Sequence, residues 1–320
     1  MKYLKEITSD RKKLITAIIS VVVLIILAIL PSITKPYTTI MLGSVLMYVI
    51  LSLCWNMFSG ATGYISLATA AFFGIGVYSA AILGDLSIPL PVMMVFGGVV
   101  ASLLAVGIGV ITLRLRGVYF TIFTLGVVKL LETLVLYLEI HYNGTRGRFV
   151  VSYTYTEVFY ALYVLLVLLI VAILLIKRSR FGKALVCIAE GEDTASHIGI
   201  NATRTKVMCF AISAFAMGAA GAAMATRWTY IDPLIAFNAN YSFLPVLMVI
   251  FGGTQNLVGP IIGAAVFAYL QELLTTRFPY IYMLAMGIIM IVAILFMPKG
   301  ILGVVHKIVA RIKAKKEAEK

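Results

Sequence analysis

Residues 158–176 read VFYALYVLLVLLIVAILLI and are followed at once by Lys177 and Arg178. The run holds no charged residue, and a helix rising about 1.5 Å per residue would carry it across most of the roughly 30 Å hydrocarbon core of a bilayer. The whole chain shares this character, because 62% of its 320 residues are hydrophobic and only 12% are charged. A soluble domain is closer to about one half hydrophobic and about one quarter charged. The sequence therefore predicts an all-α integral membrane protein.

Similar apolar runs follow one another along the chain, and we predict a polytopic bundle of about ten transmembrane helices, with eight as the alternative. One run, 235–252, contains Asn238, Asn240 and Pro245 and could therefore be a half-helix instead of a full span. The total must be even, because both ends of the chain carry the basic residues that mark cytoplasmic segments. The runs lie at about 14–30, 37–58, 64–84, 89–112, 118–139, 158–176, 206–226, 235–252, 258–276 and 280–297.

The basic residues predict which side of the membrane each loop occupies. With the N-terminus inside, 20 of the 26 Lys and Arg residues fall inside and 5 outside, and Lys129 lies within a span. The positive-inside rule thus places both termini in the cytoplasm and explains the net charge of +13 without nucleic acid. We predict one transmembrane domain over residues 1–320, with a cytoplasmic loop at 177–205 and a basic cytoplasmic tail at 303–320.

The longest polar interruption of the apolar pattern is the segment 178–201, RSRFGKALVCIAEGEDTASHIGIN. Leu185 and Ile188 belong to an apolar stripe at helical spacing, which predicts a first short helix. Gly191 weakens that helix, the acidic residues after it suit the first turn of a second helix, and Gly199 is a natural stop. A helical knob of this kind suits a partner protein, and an ordinary amphipathic loop on the membrane surface is the alternative.

Polar residues inside the predicted spans are candidates for lining a pathway through the bundle. Lys129 and Glu132 are three residues apart, so they share a helix face and can neutralise each other. Charges at membrane depth are costly and usually face a bundle interior or a cavity, although a purely structural pair is equally compatible with the spacing. The full candidate set is Asn56, Ser66, Thr69, Lys129, Glu132, Gln255 and Asn256.

Several chemical signatures are missing from the sequence. It has no G-x-x-x-x-G-K-[ST] phosphate loop, so we do not expect it to hydrolyse ATP. Its histidines, His141, His197 and His306, fall in separate loops without metal-ligand spacing. No acid–base cluster stands out. The sequence predicts neither an enzyme nor a site for a metal or cofactor.

Six segments form a pattern in a fixed order. They are NMFSG (56–60) through AAFFGIGVY (70–78), RLRGVYF (114–120) with TLG (124–126), SRFGKA (179–184) with Glu190, Glu192, Ala195 and GIN (199–201), IDP (231–233), FGG (251–253) with GP (259–260) and GA (263–264), and PKGILG (298–303). Together they resemble the LivM-type permease of branched-chain amino acid ABC importers, over roughly residues 40–303.

This resemblance implies a permease of the cell membrane that works with a second, LivH-type permease, two cytoplasmic ATPase subunits that bind the ATP, and an external substrate-binding protein. A branched-chain amino acid is the default substrate, and related permeases carry urea, short amides or other amino acids. The resemblance also implies an ATPase-coupling role for residues of the 177–205 loop, namely Arg180, Phe181, Gly182, Glu190, Glu192, Ala195 and Gly199.

Two other classes of protein are compatible with a helical membrane bundle. A stand-alone secondary transporter or channel for a small polar solute would need its own coupling-ion site, for which Lys129 and Glu132 are the candidates. A membrane enzyme acting on lipid would need a catalytic cluster, which the sequence does not offer.

Overall fold

The computed structural model describes residues 24–33, 35–84, 88–115, 117–254, 257–278, 280–281, 284–289 and 291. Gln255, Asn256 and the predicted tail 303–320 lie outside these ranges. The elements are helices α1 (Leu24–Ile33), α2 (Pro36–Trp55) with a π-helical turn (Asn56–Gly60), α3 (Thr69–Gly84), α4 (Leu90–Thr112), α5 (Val118–Asn143), α6 (Tyr155–Arg178), α7 (Arg180–Glu190), α8 (Glu192–His197), α9 (Ala202–Ala225), α10 (Pro233–Ala236), α11 (Asn240–Gly252) and α12 (Val258–Arg277), and strands β1 (Arg148–Phe149) and β2 (Tyr230–Ile231).

Seven segments in the described part of the chain are helical, long and apolar enough to cross a membrane. This confirms the all-α polytopic bundle. Helices α1 and α3 are apolar but shorter. Much of the predicted runs 14–30 and 280–297 lies outside the described residues, so the number ten stays a prediction. The seven segments are Pro36–Gly60, Leu90–Thr112, Val118–Tyr142, Tyr155–Arg178, Ala202–Ala225, Pro233–Gly252 and Val258–Arg277.

Two predicted runs are broken in the structure. The run 64–84 becomes helical only at Thr69, because Gly63 adopts φ 76° and the chain from there to Ala68 is non-helical. The run 235–252 is divided between α10 and α11. The Asp232 side chain starts α10 by accepting a hydrogen bond from the Leu234 N–H at 2.8 Å. Apolar composition set the predicted ends, whereas local backbone turns set the real ones.

Helix α9 is the centre of the bundle and packs against α3 and α4 through glycines. An added Cβ at Gly76 would collide with the Gly218 carbonyl, and one at Gly221 would collide with the Phe73 carbonyl. Gly97 of α4 faces Gly218 in the same way. Small residues let helix backbones approach closely where no water is present to drive association. These glycines therefore allow the close packing of α9 against α3 and α4.

The two ends of helix α6 mark the two ends of the bundle. The first lies just after strand β1, and the second lies just before helices α7 and α8. At the first, β1 pairs with β2 in antiparallel register, with Arg148 opposite Ile231 and Phe149 opposite Tyr230. We name this the β1–β2 end. At the second, α7 and α8 lie side by side. We name this the α7–α8 end.

Candidate functional site: the α7–α8 end and the segment beneath it

A tight turn attaches α7 to the end of α6. The Ser179 hydroxyl donates to the Ile176 carbonyl at 2.7 Å and accepts from the Gly182 N–H at 3.2 Å, which caps the first turn of α7. An added Cβ at Gly182 would collide with the Ile176 carbonyl. Leu185 then buries its side chain in the main core of the bundle. Helix α7 is therefore fixed to the membrane helix before it.

Helices α7 and α8 share a small apolar core of their own. Ile188, Ala195 and Ala202 are buried together, with Ile200 packed beside them. After α8 the chain turns at Gly199, whose φ is 83°, and the Ile200 N–H donates to the Ala195 carbonyl at 3.1 Å. This is the glycine-dependent helix ending that the sequence predicted. The prediction of two short helices is confirmed.

The residues that the resemblance assigns to coupling divide into three groups. Arg180, Glu190 and Gly199 are exposed, as are the apolar side chains of Val186 and Ile198. We call the exposed surface of the α7–α8 pair its outer face, and it combines charges with apolar side chains. Inside the pair are the buried Gly182 and Ala195 and the half-buried Phe181, which support its shape. Glu192 points towards the bundle.

Glu192 is bound to two residues of the membrane helices. Its Oε1 accepts from the Lys206 ammonium at 2.7 Å, and its Oε2 accepts from the Tyr64 hydroxyl at 2.7 Å. Lys206 is completely buried, and it also donates to the Leu113 carbonyl at 3.1 Å and to the Tyr64 oxygen at 3.2 Å. Its ammonium lies 4.4 Å from the centre of the Tyr64 ring, whose edge packs against Phe120. We call Glu192, Lys206 and Tyr64 the junction.

The sequence analysis missed Lys206 and Tyr64. Lys206 is in the second turn of α9, near the helix N-terminus, where the macrodipole disfavours a positive charge. That position was the available signal that the lysine needs a partner. Lys206 is 14 positions from Glu192 and 142 positions from Tyr64 along the chain. No local spacing pattern therefore connects the three residues.

Tyr64 belongs to the non-helical stretch Gly63–Ala68, which we call the extended segment. Its carbonyls are bound by side chains, because the Trp55 indole N–H donates to Ser66 at 2.7 Å and the Thr121 hydroxyl donates to Ile65 at 2.9 Å. The Ser242 hydroxyl donates to Leu67 at 2.6 Å. Irregular backbone is tolerated inside a membrane protein only where such partners exist.

The amide groups of the same region are satisfied in the same way. Thr124 accepts from the Leu67 N–H at 3.0 Å, and Ser59 accepts from the Ser66 N–H at 3.2 Å. Ser242 also accepts from the Ala70 N–H at 3.0 Å, at the start of α3. Helices α2, α5 and α11 therefore each place a hydroxyl or indole group on this segment or its borders.

The candidate pathway residues fall in two places. Ser66 belongs to the extended segment, Thr69 follows it as the first residue of α3, and Asn56 begins the π-helical turn after α2. The Asn56 Oδ1 and Thr69 Oγ1 atoms are buried and have no hydrogen-bond partner within the described residues. Lys129 and Glu132 are bound to each other at 2.5 Å on α5, where the lysine side chain is 71% and the glutamate side chain 11% exposed. The first three candidates therefore lie between the end of α2 and the start of α3, and the other two lie on α5.

The β1–β2 end has a separate ionic cluster. Glu139 is buried and accepts from Arg148 at 3.0 Å, from the Gly147 N–H at 2.7 Å and from the Tyr78 hydroxyl at 3.3 Å. Arg146 pairs with Asp232 at 2.9 Å. These bonds hold the paired strands β1 and β2 over α3 and α5.

Arg227, in the loop before β2, is a half-buried cation at this end. Burial lowers the pKa of its guanidinium, which donates to the Ser44 hydroxyl at 2.7 Å. Among the described residues, no group of three or more His, Cys, Asp or Glu side chains is placed to hold a metal ion.

Comparison with known proteins places this geometry in a family. The family model for the branched-chain amino acid transport system permease component matches residues 37–294. The high-affinity branched-chain amino acid transport system permease protein LivM of Salmonella typhimurium is 27% identical over 80% of this chain and 68% of its own length. LivM of Escherichia coli is 26% identical over the same shares. The permease protein LivH of Salmonella typhimurium is 30% identical over 40% of this chain and 41% of its own length. No solved structure matches the chain.

The comparisons agree with the fold. Seven apolar helices in the described part make this a multi-pass protein of the inner membrane, and the family match gives it the role of a permease in ABC import. The match covers most of the chain and spans the extended segment, the junction and the α7–α8 pair. The chain belongs to the permease-component family of branched-chain amino acid transport systems.

Proposed function

We propose that this permease works with a second, LivH-type permease, two ATPase subunits and an external substrate-binding protein, and that it carries a branched-chain amino acid. The names of its LivM and LivH relatives support the substrate and the pairing. The observation that carries the proposal is the α7–α8 pair, a compact helical unit with an exposed face and a fixed attachment to the bundle. A chain without a phosphate loop needs a surface of this kind to receive work from ATPases.

In this proposal the α7–α8 end and both termini lie in the cytoplasm, and the β1–β2 end faces outward. The distribution of Lys and Arg in the sequence supports this orientation. Ten spans, a coupling loop at 177–205 and a basic tail at 303–320 complete the proposed topology. The bilayer is the only other partner required, and neither nucleic acid nor a cofactor of its own is part of the proposal.

The ATPases would dock on the outer face of the α7–α8 pair. Arg180, Glu190 and Gly199 expose their atoms there, with Val186 and Ile198 as apolar contacts. Phe181, Gly182 and Ala195 would act indirectly by keeping the pair in shape. A docking interface of mixed charge and apolar side chains has the composition of ordinary protein–protein contacts.

The pathway would pass beside the extended segment. Asn56, Ser66 and Thr69 would line it, and the unpartnered oxygens of Asn56 and Thr69 support this assignment because a passing polar solute could bind them. Lys129 and Glu132 would face the same route from α5, at the boundary with the second permease. Gln255 and Asn256, which follow α11, complete the proposed set.

The test is uptake by the reconstituted complex. This permease, the second permease and the ATPases are placed in proteoliposomes with the binding protein, and uptake of labelled leucine is followed with and without ATP inside. We expect uptake that requires ATP and all subunits. Uptake by the permease alone, driven by an ion gradient, would support the stand-alone transporter instead.

The docking face is tested by Gly199→Arg. Arginine at φ 83° strains the turn and adds bulk to the exposed tip, so we expect loss of ATPase binding and of uptake. Gly144→Arg is the matched control, because Gly144 also has positive φ (68°) and open space around it but lies at the β1–β2 end. If the Gly199 variant still co-purified with the ATPases and supported full uptake, the assigned face would be wrong.

A further inference from the structure

The junction sits where a movement of α8 would enter the membrane bundle. Ala195 packs α8 against Ala202, at the start of α9, in an apolar cluster separate from the main core. Glu192 then reaches out of the first turn of α8 to Lys206 of α9 and to Tyr64 of the extended segment. One carboxylate therefore connects the α7–α8 pair with two parts of the bundle.

The chemistry of the junction makes it a rigid link. The Lys206 ammonium is fully buried, so it cannot exchange its acceptors for water. Its three acceptors and the Tyr64 ring surround it, and separating Glu192 from it would leave a buried charge unpaired. A displacement of α8 is therefore transmitted to Tyr64 in preference to breaking the cluster.

The surroundings of the junction favour transmission through it. A cleft of about 450 Å³ separates α7 and α8 from the extended segment and the start of α5. Gly117, Gly63 and Gly191 line it, with Ile65 and Ala189 on opposite walls. Where close packing is missing, the bonds of Glu192 carry the contact between the two sides.

The extended segment can pass the movement on. Gly63, directly before Tyr64, has φ 76° and no neighbour within contact distance of an added Cβ, so it can act as a hinge. Beyond Tyr64 the segment leads to Ser66 and to Thr69, the first residue of α3. A shift of Tyr64 therefore reaches the residues proposed for the pathway.

We propose that Glu192, Lys206 and Tyr64 form the link through which movement of the α7–α8 pair reaches the extended segment Gly63–Ala68. The three are positioning residues, since their role is to join two moving parts. This inference rests on the proposed function, because it takes the ATPases as the source of the movement. It adds the internal route that the docking face alone does not define.

The decisive variant is Tyr64→Phe in the complete reconstituted complex. It removes one hydroxyl, and with it the bonds to Glu192 and to Lys206, while the aromatic ring stays against Lys206 and Phe120 and the Lys206–Glu192 ion pair is kept. We expect the complex to assemble and hydrolyse ATP, while leucine transported per ATP hydrolysed falls about tenfold, within the usual range of coupling between sites.

Tyr163→Phe is the matched control. It also removes one tyrosine hydroxyl, which here donates to the Leu24 carbonyl at 3.0 Å, and Tyr163 lies on α6 away from the junction. We expect an unchanged ratio of transport to hydrolysis. A merely structural role of the junction would lower assembly, hydrolysis and uptake together and leave that ratio unchanged, which would overturn the proposal.

A second measurement leaves the junction intact. Spin labels at Ala189→Cys and Ile65→Cys, in a background without the 3 native cysteines, report the distance across the cleft. We expect the same distance in the resting and the nucleotide-trapped complex, because a rigid link moves both walls together. A distance that changes on trapping would overturn the proposal.

The two levels of inference fail differently. If the wild-type complex shows no ATP-dependent uptake, the proposed function is wrong. If it transports normally and Tyr64→Phe keeps the wild-type ratio of transport to hydrolysis, only the assignment of the junction is wrong.

Discussion

The two Lys–Glu pairs described here illustrate opposite uses of the same two side chains. Lys129 and Glu132 lie one turn apart on α5, and the lysine is 71% exposed. Lys206 and Glu192 lie on different helices, and the lysine is 1% exposed. The first pair follows from spacing along one helix, and the second exists only because the chain folds.

The difference is one of energy as well as of place. Lys129 keeps most of its side chain exposed, so only the Glu132 carboxylate, whose side chain is 11% exposed, depends on burial within the first pair. In the second pair Lys206 is 1% and Glu192 20% exposed, and removing one partner of such a buried pair costs about 3–5 kcal/mol. Sequence spacing therefore reveals the pair within one helix and hides the more deeply buried pair between helices.

The largest expected effect is that of Lys206→Met. It leaves the Glu192 carboxylate and the Leu113 carbonyl without their buried donor, and we expect the free energy of unfolding to fall by about 3–5 kcal/mol. Lys183→Met, at an exposed position of α7, is the control and should change it by less than about 0.5 kcal/mol. Unfolding of the purified protein in mixed detergent micelles measures both. Equal effects would show that burial of Lys206 does not matter to stability.

The β1–β2 end extends the comparison to a third ion pair. Glu139→Gln weakens the bonds to Arg148 and Gly147, and we expect a loss of about 1–3 kcal/mol, as for a buried group left unsatisfied. Glu190→Gln, at an exposed position, is the control with little expected change in the free energy of unfolding. Hydrogen exchange at the amides of Arg148 and Tyr230 measures separation of the paired strands β1 and β2. Unchanged protection in the Glu139 variant would contradict the assigned role.

Hydroxyl groups repeat the contrast between buried and exposed sites. Ser242→Ala deprives the Leu67 carbonyl and the Ala70 N–H of their partner, so we expect a loss of about 1–3 kcal/mol. Thr133→Val removes the hydroxyl that donates to the Lys129 carbonyl on the exposed side of α5, with an expected change below about 0.5 kcal/mol. Thermal unfolding in detergent ranks the two variants. The reverse order would show that the extended segment does not depend on these bonds.

The last prediction concerns Lys129, for which accessibility is a better measurement than stability. Lys129 is about 17 Å along α5 from Val118 at the usual rise per residue, near the middle of the span. A lysine there is costly in lipid, so we expect a second permease to cover it. Lys129→Cys should react with a polar thiol reagent in the isolated chain and be protected in the assembled complex. Equal reactivity in both would place the cover elsewhere.

Much of the architecture was predictable, because it depends on local pattern. Apolar runs identified the membrane helices, and Gly191 and Gly199 correctly marked the limits of α8. Polarity at membrane depth selected Asn56, Ser66 and Thr69 as pathway candidates, and that role stays a prediction. These features need only the near neighbours of each residue.

What the sequence could not reveal depends on distant partners. The break before Thr69 is stabilised by Thr124 and Ser242, whose hydroxyls look unremarkable in their own helices. The partners of Lys206 come from three other parts of the chain. No periodicity relates such residues, so only the fold identifies them.

The extended segment also constrains how the protein is made. Ser242, which binds the Leu67 carbonyl and the Ala70 N–H, is synthesised 175 and 172 residues after them. Until α11 emerges from the ribosome, those groups must find other partners, because an unsatisfied peptide group in hydrocarbon costs several kcal/mol. The first helices therefore cannot reach their final arrangement one by one during insertion, and the segment is completed only when most of the polypeptide has entered the membrane.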